Sequence, residues 1–230
     1  MIILITGTSR GIGKYLAERF LSVGHTVIGF CRSACDIQNE NFHHFTADVT
    51  DEKSIVKSLG EIRKQFGYID ILINNAGIAS MNHFCLTPLE TAKRVMNVNF
   101  FGTFLMSREC AKLLKKSTNA RIINFSTVAV PLNLEGEASY AASKSAIETL
   151  TRTTAKELAG FGITVNAVGP VPIKTALIAG VPEDKIQNLL NHQAIKRFGE
   201  PEDVFNVIDF YIRPESNFIT GQVVYLGGIN

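Results

Sequence analysis

The sequence predicts an α/β fold: a single domain built on a doubly wound parallel sheet of about seven strands, with helices on both faces. Three observations predict it. Short runs rich in Ile and Val alternate with helix-periodic segments along the chain. The first run ends in a glycine-rich turn, TGTSRGIG at Thr6 to Gly13, which opens directly into a helical segment. The 230 residues contain no repeat and no low-complexity linker, so they suit one core.

Taken in order, Ile2 to Thr6 is a β-branched run that reads as a buried strand. Ile12, Leu16, Phe20 and Val23 then follow helical spacing, and Gly24 supplies the stop. Strand, glycine turn and helix form the first half of a dinucleotide-binding unit. Gly7 allows the tight turn, Gly11 the approach of backbone to a pyrophosphate, and Gly13 close helix packing, with the helix N-terminus facing the phosphates. His25 to Cys31 is the second strand. An acid at its end would select NAD, and an arginine would suit the 2′-phosphate of NADP. The positions are Cys31, Arg32 and Ser33. Arg32, with Arg10 in the turn, argues for NADP(H) over NAD, because guanidinium binds phosphate bidentately. Asp36 is the rival, if the strand ends later.

Phe42 to Ala47 is a short strand leading to Asp48, a candidate acceptor for the adenine amino group. Thr50 or Asp51 is a candidate cap for a helix from Asp51 to Phe66. Tyr68 to Asn74 is a continuously apolar strand ending in NNAG, Asn74 to Gly77, at the carboxyl edge of the sheet where ligands sit. A helix runs from Leu89 through Asn99 toward Leu114. Asn99 lies mid-pattern, where Asn is a poor choice unless its amide is used. Arg121 to Phe125 is a strand followed by Ser126 and Thr127. Glu137 to Phe161 is a helix, Ile163 to Val168 a strand, Asp203 to Ile212 a helix and Gln222 to Leu226 a last strand. Gly169 to about Arg197 reads as irregular. It follows a strand end, so it suits a lid over a ligand at about 170–197. Its Ile173, Leu177, Ile178 and Val181 suit a substrate wall or packing onto the sheet.

Composition narrows the partners. Net charge is +2, from 23 basic and 21 acidic residues, with no block of like charge to suggest nucleic acid or a membrane surface. The partner expected is a small molecule. The four cysteines form no CxxC, and no Cys/His cluster has metal-ligand spacing, so no metal is expected. His83, after a strand end, is the histidine to watch. Free thiols, no signal-like N-terminus and no apolar run of membrane-spanning length point to the cytoplasm.

Tyr140 and Lys144, in SYAASK, fall four apart on one helical face, with Cβ atoms roughly 5–6 Å apart. A nearby cation favours phenolate and makes the phenol a better acid. The plain alternative is a surface helix with a snorkelling lysine.

Together these segments resemble the short-chain dehydrogenase/reductase family, in its one-domain, Rossmann-type branch, and in outline its 3-oxoacyl-carrier-protein reductase type. The likeness spans TGTSRGIG, DVTD at 48–51, NNAG, NVN at 97–99, YAASK at 140–144, NAVGP at 166–170, RFGEPED at 197–203 and the TGQ…GG ending. It implies a ketone reductase in which Tyr140 is the acid, Lys144 lowers its pKa and holds the nicotinamide ribose, and Asn99 holds a relay water. The fourth member is a serine thirteen residues before the tyrosine. Counting back reaches Thr127, with Ser126 the alternative. Cofactor contacts are implied at Gly7, Ser9, Arg10, Gly11, Ile12 and Gly13. Others fall at Arg32, Asp48 and Val49, at Asn75, Ala76 and Gly77, and at Pro170, Ile173 and Thr175. Val171 stands where the family usually has glycine, which puts the local backbone in question. The resemblance implies a homotetramer or dimer. Its interfaces would be the helices bearing Asn99 and Tyr140 and the last strand, with Phe100, Phe101, Phe104 and Leu105 suited to such burial or to the core. Two rival readings are a nucleotide-binding regulator with impaired catalysis and an NAD-dependent alcohol dehydrogenase working oxidatively.

Overall fold

Strands that show no apolar–polar alternation must be covered on both faces, and that requirement organises this chain. The computed structural model describes residues 1–178 and 180–229. Its sheet has seven parallel strands in the order β3-β2-β1-β4-β5-β6-β7. These are β1 (Ile2–Thr6), β2 (Thr26–Cys31), β3 (Phe42–Thr46), β4 (Ile71–Asn74), β5 (Arg121–Phe125), β6 (Thr164–Gly169) and β7 (Val223–Tyr225). Alternate side chains feed two cores. Leu4, Ile28, Leu72, Ile122 and Val165 pack under α2 (Glu52–Phe66) and under α4 (Gly102–Leu114). Ile3, Ile5, Ile73, Ile123 and Val168 pack under α1 (Gly11–Ser22) and under α8 (Pro201–Ile212). The strand order reverses between β1 and β4, which opens a crevice at their carboxyl ends.

The helix expected over Leu89 to Leu114 is continuous but not uniform. α3 (Leu89–Met96) passes through a π-helical turn, Asn97–Phe101, into α4, and Asn99 sits in that turn. Such widened turns concentrate at functional sites. α5 (Ala129–Leu132) is a single turn after β5, and α6 (Ala138–Leu158) carries Tyr140 and Lys144. Asp51, not Thr50, caps α2, accepting from the N–H groups of Lys53 and Ser54. Glu200 and Asp203 form a capping box at α8, and Asp203 also binds the Arg197 guanidinium bidentately at 2.7 and 2.8 Å.

One expectation is corrected. The stretch read as irregular from Gly169 to Arg197 contains α7 (Glu183–His192). Its Ile186 and Leu190 are buried, and Glu183 and Asp184 complement its N-terminus. Pro182 precedes it and its apolar face is narrow, so its periodicity is faint in the sequence. Residue 179 of the expected lid lies outside the described residues.

Candidate active site

The glycine turn is built by contact. Gly7 and Gly11 take positive φ, +79° and +59°. A Cβ on Gly13 would lie 2.3 Å from the Gly7 carbonyl oxygen and 2.4 Å from Asn75 Nδ2, so only glycine fits. Asn75 Nδ2 donates to Thr6 O at 2.9 Å, and the Ala76 N–H donates to Thr6 Oγ1 at 2.9 Å. The NNAG segment thus clamps the turn. Arg10 stands at the start of α1 with no side-chain cap, leaving the helix N–H groups toward the turn. Ser9 is partly exposed there, Ile12 lines the adjoining cleft and Thr175 lies over Gly11 at 3.7 Å from where a Cβ would be. A crowded glycine cradle at a helix N-terminus fits a dinucleotide pyrophosphate.

At the end of β2, Arg32 is exposed and 3.9 Å from Asp48 Oδ2. The rival acid Asp36 is engaged by Lys14 Nζ at 2.8 Å, a partner for which the sequence offered no signal. Asp48 Oδ1 accepts from the Thr50 N–H and hydroxyl, at 2.9 and 2.8 Å. Val49 is buried against Gly102. Cys31 and Cys35 both touch Thr8, which holds this loop beside the turn.

Tyr140, Lys144, Thr127 and Gly77 meet in a cleft of about 660 Å³ that Ile12 and Asn75 also line. Lys144 Nζ donates to Phe125 O at 2.9 Å and lies 5.9 Å from the Tyr140 ring centre. Burial lowers the Lys144 pKa to about 8. The Tyr140 phenol does not show the lowered pKa expected from its lysine neighbour. Burial raises it, the Glu137 carboxylate raises it further, and the Thr127 side chain opposes them. Desolvation dominates the shift because the phenol sits out of water. Glu137 itself is pushed up to about 6, chiefly by burial.

The two hydroxyls after β5 face different ways. Ser126 lines the cleft too, but its Oγ donates to Glu148 Oε1 at 2.5 Å. Thr127 Oγ1 accepts from the Ala129 N–H at 3.2 Å, and its side chain lies beside the Tyr140 phenol. Asn99 is fully buried, and its amide is used. Nδ2 donates to Ile78 O and Ser143 Oγ, and Oδ1 accepts from the Ile78 N–H. Asn99 Oδ1 and Lys144 Nζ both flank Gly77, at 3.3 and 3.6 Å from where a Cβ would be. Ser143, missed in the sequence although it sits inside the YAASK segment, links Asn99 to Tyr140 by donating to Tyr140 O at 2.7 Å.

The far wall comes from the loop after β6 and from α7. Ile173, Leu177, Ile178 and Val181 line the cleft, and Ile173 also packs into the sheet core. Pro170 O accepts from the Val128 N–H at 3.2 Å, which ties this loop to Thr127's neighbour. Val171 has no positive φ, and its side chain packs with Val128 and Ile229 into space left by Gly199 and Gly227. His83 caps a short turn by accepting from the Cys85 N–H, outside the cleft-lining set.

A family model described as enoyl-(acyl carrier protein) reductase matches residues 7–229. The 3-oxoacyl-(acyl-carrier-protein) reductase of Thermotoga maritima is 35% identical over 99% of this chain and 96% of its own length. Among solved structures, the ligand-free aldohexose dehydrogenase of Thermoplasma acidophilum has a TM-score of 0.89 at 29% identity, covering 99% of this chain and 93% of that one. The 3-ketoacyl-(acyl-carrier-protein) reductase of Brucella melitensis, complexed with NADH, has a TM-score of 0.88 at 26% identity, covering 98% and 96%.

Proposed function

Because the chain belongs to the short-chain dehydrogenase/reductase family and is an NAD(P)-dependent oxidoreductase acting on C=O and CH–OH groups, we propose that it reduces a ketone to a secondary alcohol with NADPH. A 3-oxoacyl thioester is the leading substrate, by likeness to the relatives named for that reaction. The observation that carries the reading is the meeting of Tyr140, Thr127 and Lys144 in one cleft beside the glycine turn.

When bound, the nicotinamide supplies the hydride. Gly7, Ser9, Arg10, Gly11, Ile12 and Gly13 would hold the pyrophosphate, and Arg32 with Arg10 the 2′-phosphate. Asp48 and Val49 would border the adenine. Asn75 to Gly77 and Lys144 would hold the ribose, and Pro170, Ile173 and Thr175 the nicotinamide end. Thr127 donates its O–H to the substrate oxygen and so orients the carbonyl. Tyr140 gives that oxygen its proton. The raised pKa keeps the phenol protonated at neutral pH, the form an acid must take. The Lys144 cation steadies the phenolate that remains. Asn99 acts on this group through Ile78 and Ser143, and a relay water on its oxygen is part of the proposal. The described residues of the stretch at about 170–197, α7 among them, would serve as the lid.

NADPH is favoured by the exposed Arg32 and by the engagement of Asp36 with Lys14. The NADH in the Brucella neighbour supports a second reading, NAD-linked and running toward alcohol oxidation. No helix among the described residues is long and apolar enough to cross a membrane. Free Cys31, Cys35, Cys85 and Cys110 support a reducing compartment, the cytoplasm. A homo-oligomer, tetramer or dimer, completes the proposal.

The test is NADPH and NADH consumption over 3-oxoacyl thioesters, a 2-enoyl thioester, keto sugars, steroids and small ketones. The expected result is ketone turnover preferring NADPH. Tyr140→Phe should lose about 10²–10⁴-fold in kcat, the usual share of a general acid, while still binding NADPH. Near-normal turnover in that variant would overturn the mechanism. Turnover of the enoyl thioester alone would overturn the ketone assignment, and tight NADPH binding without any turnover would favour a regulator.

A further inference from the structure

We propose that Glu148 is a positioning residue for the reaction: its buried carboxylate clamps the end of β5 so that Thr127 presents its hydroxyl toward Tyr140. The proposal rests on the reading of Thr127 and Tyr140 as the acting hydroxyls.

Glu148 is only 5% exposed. A carboxylate taken out of water is costly unless its oxygens are fully hydrogen-bonded. Here they are. Oε1 accepts from the Ser126 hydroxyl at 2.5 Å and from the Tyr225 phenol, and Oε2 from Arg152 Nη2 at 3.3 Å. Glu148 does not line the cleft, so it touches no substrate. What it does touch is the residue next to Thr127 and a side chain of the neighbouring edge strand.

The contact belongs to a seam. Lys144, Glu148 and Thr151 lie on one face of α6. Each bonds a residue at or just after the end of β5. Lys144 Nζ donates to Phe125 O at 2.9 Å, Ser126 Oγ donates to Glu148, and Asn124 Nδ2 donates to Thr151 Oγ1 at 2.9 Å. β7 joins through Tyr225, whose ring lies where a Cβ on Gly169 would be. The helix bearing Tyr140 and Lys144 is thereby registered against the strand that leads into Thr127. A buried hydrogen-bond network of this kind favours one arrangement. Positioning matters because misplacing a reacting group by about 1 Å can lose up to about 10²-fold in rate.

The experiment measures kcat, with NADPH and ethyl acetoacetate, for Ser126→Ala and Glu148→Ala in the native background and again with Thr127→Ala. Melting temperature is followed in parallel. Each should lower kcat roughly tenfold in the native background with the KM for NADPH unchanged, a share of the positional loss above. In the Thr127→Ala background the further loss should fall below about twofold, since residues acting through one group are not additive. An equal factor in both backgrounds, or full kcat in the native one, overturns the proposal. If Glu148→Ala does not fold, Ser126→Ala decides alone. Failure of the native enzyme to reduce the ketone would count against the ketone-reductase reading instead.

Discussion

At the scale of the residue, Lys144 links stability to chemistry. Its pKa in the folded chain is about 8, against an ordinary 10.5. Between those values the unfolded chain binds a proton that the folded chain has released. Its contribution to stability therefore rises with pH across that window and is at its least favourable below about pH 8. Lys144→Met removes the term. The melting temperature of the native protein should gain on that of the variant between pH 7.5 and 9.5, and parallel curves would refute the burial argument. The same burial keeps Tyr140 neutral. A lysine at i+4 suggests the opposite shift, because spacing shows a neighbour but not the water removed from both groups.

At the scale of the element, the glycine turn and α2 make a contrast. Gly13→Ala places a Cβ into the Gly7 carbonyl and Asn75. It should cost about 1–3 kcal/mol of stability by overpacking and weaken NADPH binding, read by melting and by titration. Gly60, inside α2, has nothing within 4 Å of a Cβ. Gly60→Ala should instead stabilise by about 0.5–1 kcal/mol. A loss at Gly60, or none at Gly13, would sink the distinction. The α3–α4 helix teaches a related point. Its apolar periodicity predicts one rod, yet the π-helical turn at Asn97–Phe101 brings the Asn99 amide to Ile78 and Ser143. A widened turn has no sequence pattern of its own.

At the scale of the whole molecule, the chain leaves apolar surface uncovered. Leu105 belongs to the core, whereas Phe101 and Phe104 are 54% and 41% exposed. β7 is a three-residue edge strand with Val224 outward. Exposed apolar patches mark interaction surfaces, so the native protein should sediment as a tetramer or dimer. Phe101→Glu with Phe104→Glu should yield a lighter species, and an unchanged sedimentation coefficient would exclude this face.

By itself the sequence determined what local spacing encodes. That covers the alternating strands and helices, the turn from Gly7 to Gly13, and Tyr140 and Lys144 on one helical face. These follow from residues adjacent or one turn apart. Only the tertiary structure distinguishes the surroundings of Ser126 and Thr127, because Glu148 and Tyr225 meet at the Ser126 hydroxyl. It alone showed that Val171 is accommodated, through Gly199 and Gly227. It alone set the direction of the Tyr140 shift. In the first two cases the deciding partners lie far away in sequence, and in the third solvent is excluded only when the elements pack.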